Sequence, residues 1–102
     1  MDLIEEYGIN KVIAEKMLEM GFFLFKSESS HQWRLNLKEG NYLICMDGKG
    51  EIIKDVSYDM QIIVLNRDSE IINKDPLHSG YMNIESMIAH IKSRIDELCS
   101  HF

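Results

Sequence analysis

Proline and tryptophan occur once each in this 102-residue chain, and cysteine and alanine only twice. A single proline excludes a polyproline or collagen-like build. Two distant cysteines, Cys45 and Cys99, exclude a disulfide-framed scaffold or a paired-cysteine zinc ribbon. No apolar run approaches the roughly 20 residues that a membrane-spanning helix needs. The opening Met1-Asp2-Leu3-Ile4-Glu5-Glu6 has neither the basic start nor the apolar middle of a secretory signal. The expectation is a cytoplasmic protein with reduced thiols. Basic residues are also short, 11 against 17 acidic ones, for a net charge of −6. That balance opposes nucleic-acid and anionic-membrane binding and favours basic partners. Fourteen isoleucines, a Lys to Arg ratio of 8 to 3 and two alanines fit AT-rich coding, which leads us to expect a bacterial or phage source.

A single domain over residues 1–102 is expected, large enough to bury about 60–68% of its unfolded surface without a metal or disulfide staple. Its organising stretch is residues 60–66, Met-Gln-Ile-Ile-Val-Leu-Asn, where alternate positions of both parities are apolar. Such a strand must be packed on both faces. Residues 42–46 read the same way. Residues 32–38 instead alternate, with Trp33, Leu35 and Leu37 opposed to Gln32, Arg34, Asn36 and Lys38, as a strand with one wet face does.

Helices are expected at both ends. Leu3, Ile4 and Tyr7 share one side of a short turn ending at Gly8; Asn10 then caps a longer helix with a stripe of Ile13, Ala14, Met17, Leu18 and Met20, closed by Gly21. Asn83 caps the final helix, where Ile84, Met87, Ile88, Ile91, Ile95 and Leu98 fall within a narrow stripe. The period is two from Phe22 to Asn73, with turn formers between the apolar runs. The expected fold is α+β, an antiparallel meander of four to five strands packed with an N-terminal and a C-terminal helix, in the order α-β-β-β-β-(β)-α. Two helices on one face leave the other partly apolar, which makes it a candidate interface for self-association or a partner.

No catalytic constellation stands out. His31, His78, His90 and His101 form no metalloprotease pattern, and Cys99-Ser100-His101 offers too few metal ligands. No glycine-rich phosphate loop is present. Residues 47–51, Asp-Gly-Lys-Gly-Glu, read as a hairpin turn rather than a calcium loop. Cys45, between Ile44 and Met46, reads as packing. No metal, cofactor or direct nucleic-acid contact is expected. The sharpest surface feature is an expected strand over residues 51–58 whose outer face carries Glu51, Asp55 and, at its end, Asp59, with Asp47 extending the patch from the adjoining turn. The function expected from these features is non-catalytic protein–protein interaction, as an adaptor or inhibitor that blocks a basic partner surface. The alternative is a small-ligand binder or enzyme whose pocket, between sheet and helices, is lined by Trp33, Tyr42 and Tyr58.

Overall fold

The computed structural model describes residues 3–28, 31–57, 59–75, 78–80 and 83–100. The chain begins with a one-turn helix, α1 (Leu3–Glu6), and a longer helix, α2 (Lys11–Glu19). Asn10 starts α2 as expected, its side-chain oxygen accepting from the Val12 and Ile13 amides at 2.9 and 3.4 Å. The helix ends in a Schellman motif: Gly21 N donates to Leu18 O, and Phe22 N to Met17 O, both at 3.0 Å. Gly21 takes a φ of +98°, which side chains resist, and this reversal sends the chain directly into the sheet.

The strands are β1 (Phe23–Lys26), β2 (His31–Asn36), β3 (Tyr42–Asp47), β4 (Asp59–Leu65), β5 (Ile71–Lys74) and the two-residue β6 (His78–Ser79). β1 to β5 lie in chain order, every pair antiparallel, and β6 pairs with the start of β4. The final helix, α3 (Ile84–Cys99), starts at Asn83, whose side chain accepts from Ser86 N at 2.8 Å. The α+β meander between terminal helices is therefore the fold, with β3 central and β4 beside it, as their doubly apolar sequences require.

Register decides what each sheet face carries. Trp33 pairs with Cys45, Leu43 with Val64 and Cys45 with Ile62, so these side chains share one face. There they form a single core with Ile13, Ala14 and Met17 of α2 and Met87, Ile91 and Leu98 of α3. Tyr42, Ile44 and Ile63 point the other way, and their cluster contains residues of the sheet alone.

Two details depart from the sequence expectation. Leu18, placed in the buried stripe, is 50% exposed, because at 100° per residue it lies beyond the arc of Ile13, Met17 and Ala14 that meets the core. The described residues 51–57 do not form a strand. Ile52 makes an isolated bridge to Met46, and Ile53, which shares strand parity with Glu51 and Asp55, is 1% exposed. Ile52 and Ile53 both enter the core, and Trp33 Nε1 donates to Ile53 O at 3.0 Å. Satisfying that indole inside the core holds the segment against the core.

Candidate interaction site

The proposed acidic row divides when placed on this fold. Asp47 closes the 47–51 turn: its Oδ1 accepts from Lys49 N at 2.8 Å and Glu51 N at 2.9 Å, and its own amide donates to Glu51 O. Gly48 lies so close to Asp59 that a Cβ there would come within 2.5 Å of the Asp59 Cβ. Asp47, Glu51 and Asp59 thus meet at one end of the sheet. Asp55 does not join them, since its Oδ1 faces Asn10 Nδ2 at 3.5 Å at the start of α2. The shared strand parity that was to align the row is absent, and the Asp47 carboxylate is engaged in holding its turn.

The expected ligand-lining aromatics do not converge either. Trp33 is 0% exposed in the helix-side core, whereas Tyr42 is on the opposite face with its hydroxyl 2.9 Å from Ser69 Oγ. Tyr58 lies outside the described residues. Cys45 is buried beside Trp33, and burial pushes its thiol well above the ordinary range, which keeps it protonated and unreactive. His90 is half-buried on the flank of α3. Among the described residues no group of three or more His, Cys, Asp or Glu could hold a metal ion, and no helix is long and apolar enough to cross a membrane.

Concavity is found elsewhere, between the two long helices. An open cleft of about 1100 Å³ is lined by Val12, Lys16, Glu19 and Met20 of α2, by Val56, and by the first half of α3. It exists because each helix carries more apolar surface than the sheet can take. Ile13 and Met17 point to the core while Val12 remains 48% exposed; Met87 and Ile91 point to the core while Ile84 and Ile88 are only partly covered. Val56, 37% exposed, closes one side. Lys16, Glu19, Glu85 and Lys92 surround this apolar floor with charges of both signs.

The cleft was partly legible in the sequence. Val12 adjoins the apolar stripe of α2, and of the six stripe residues of α3 only Met87, Ile91 and Leu98 are fully buried. Nothing in the sequence showed that the helices would part.

One structural pair was missed. Asp75, 4% exposed after β5, accepts from Arg94 of α3 through Nε at 2.8 Å and Nη2 at 2.6 Å, and Arg94 Nη1 also pairs with Glu97. The hydrogen bonds to Asp75 hold the Arg94 proton more firmly than usual. A contact between residues 19 apart, one in a loop, leaves no periodic signal. This part-buried fork fastens the segment after β5 to α3. Compared with known family models, curated proteins and solved structures, the chain matches none.

Proposed function

We propose that this chain is a non-catalytic protein-binding module, an adaptor or inhibitor, whose cleft between α2 and α3 receives an amphipathic helix of a partner protein. The observation that carries this reading is the apolar floor left by Val12, Met20, Val56, Ile84 and Ile88 in a concave surface. A helix laid in a groove uses apolar anchors at i, i+3, i+4 and i+7 with polar residues at the margins. The mixed-charge rim of Lys16, Glu19, Glu85 and Lys92 suits those margins. The net charge of −6, with Asp47, Glu51 and Asp59 gathered at one end of the sheet, supports a partner whose wider surface is basic, because such a field speeds encounter.

The test is affinity capture from the source cell with the wild-type chain and a Val12→Glu/Val56→Glu variant, after circular dichroism has shown both to be folded. Both valines are exposed enough to change without emptying the core. A partner held by the wild type and lost by the variant supports the cleft. A partner held equally by both refutes it. Retention of a small molecule alone, seen by native mass spectrometry, would favour the ligand-binding alternative.

A further inference from the structure

The sheet face opposite the helices carries an arrangement that the cleft does not explain. Register places Phe23, Phe25, Gln32 and Arg34 on this face together with Tyr42, Ile44, Ile63 and Lys74. Among the described residues no helix covers it. Arg34 lies across its centre, with Cζ 3.5 Å from the Phe25 ring centroid and 4.3 Å from that of Tyr42. Its Nε donates to Gln32 Oε1 at 2.8 Å. Tyr42 is itself held through its hydroxyl contact with Ser69.

The guanidinium is therefore fixed by two rings and one hydrogen bond, while among the described residues no acceptor is paired with Nη1 or Nη2. A fork held in place in advance loses little freedom when it takes a planar, bidentate anion. Charge points the same way. In a chain of net charge −6, the strand positions on this face carry Arg34 and Lys74, and the one acid of matching parity, Asp59, stands at the far end of β4.

We propose that this outer sheet face docks a carboxylate-bearing, apolar segment of a partner protein, with the Arg34 guanidinium receiving the carboxylate and Phe23, Met46 and Ile71 offering apolar contacts around it. This surface is separate from the cleft and is tested separately. A peptide fits better than a nucleic acid because the rings that would stack on bases already carry Arg34. It fits better than a second copy because a two-fold pairing of this face would bring the same two cations, Arg34 and Lys74, from both copies into one interface.

The probe is a short fluorescein-labelled peptide with one Glu between Leu and Phe residues, compared by fluorescence anisotropy with its twin bearing Gln for that Glu. The full chain should bind the Glu peptide about tenfold more tightly than the Gln peptide, the scale of one charge-assisted bidentate contact. Arg34→Gln should abolish that advantage and Arg34→Lys should remove most of it, because an ammonium keeps the charge but loses the fork. Lys11→Gln, an exposed change on α2, should leave it intact.

Equal binding of the two peptides overturns the proposal, as does wild-type behaviour of the Arg34 variants. So does Arg34-dependent binding of labelled single-stranded RNA in place of the peptide, or an Arg34-dependent dimer in sedimentation. If Arg34→Gln does not fold, the wild type still decides. The Arg34 side-chain N–H resonances should shift on adding the Glu peptide and not the Gln peptide, and an unmoved signal refutes the contact.

Discussion

Truncating two isoleucines on α3 that are three residues apart in sequence separates core from cleft. Ile91 is fully buried against the sheet, and Ile88 is partly covered beside the cleft. Ile91→Ala removes three methyl or methylene groups from the core at about 0.8 kcal/mol each, a transfer loss of about 2.4 kcal/mol. The void left among Trp33, Met87 and their neighbours closes only in part and raises the loss to about 3–4 kcal/mol. For a domain of this length each kcal/mol lowers Tm by about 4–8 °C, so Ile91→Ala should melt roughly 12–30 °C below the wild type. Ile88→Ala opens onto an existing cleft and creates no closed cavity, so about 1 kcal/mol and 4–8 °C are expected. Urea and thermal unfolding followed by circular dichroism measure both. Equal losses, or an Ile91→Ala change within error, would refute the division of α3 between core and cleft.

Arg94→Met leaves the Asp75 carboxylate buried without its fork and should cost about 3–4 kcal/mol, with part recovered in Arg94→Met/Asp75→Asn; a loss under about 1 kcal/mol in chemical denaturation would show that the pair is not a fastener. Burial raises the Cys45 thiol in the folded chain, so stability is full below the unfolded thiol's value of about 8.5 and falls as pH rises above it, by up to about 1.4 kcal/mol per pH unit. Cys45→Val should flatten that alkaline slope, and an unchanged slope would remove the thiol as its source. Glu51→Lys should leave Tm nearly unchanged, while Asp55→Lys should cost up to about 1 kcal/mol by setting a cation at the start of α2. With a basic partner, both should slow association and weaken its salt dependence in surface plasmon resonance; unchanged kinetics would reduce the acids to solubilising groups.

Local rules made most of the fold readable. Asn10 and Asn83 cap their helices, Gly21 turns the chain, and the two-parity apolar runs of β3 and β4 mark the sheet centre. Residues 51–58 misled because alternation is a one-dimensional signal, whereas the path of Ile52 and Ile53 is set by the Trp33 indole, some 20 positions away in sequence. The 47–51 turn is present, but its two glycines serve different ends. Gly50 takes the positive φ, while Gly48 is required by the close approach of Asp59. The cleft depends on the separation of two helices, and the Arg34 stack on pairing between Phe23 and Arg34 and between Asn36 and Tyr42. These are three-dimensional relations for which the order of residues gives only the ingredients.

The most direct test of the cleft as the binding surface is hydrogen–deuterium exchange of this chain, alone and with the captured partner, resolved to peptides over α2 and α3. Added protection over residues 12–20 and 84–92, with little change in β3, is the expected result. Protection confined to the 47–51 turn or to the sheet, with both helices exchanging as in the free chain, would contradict it.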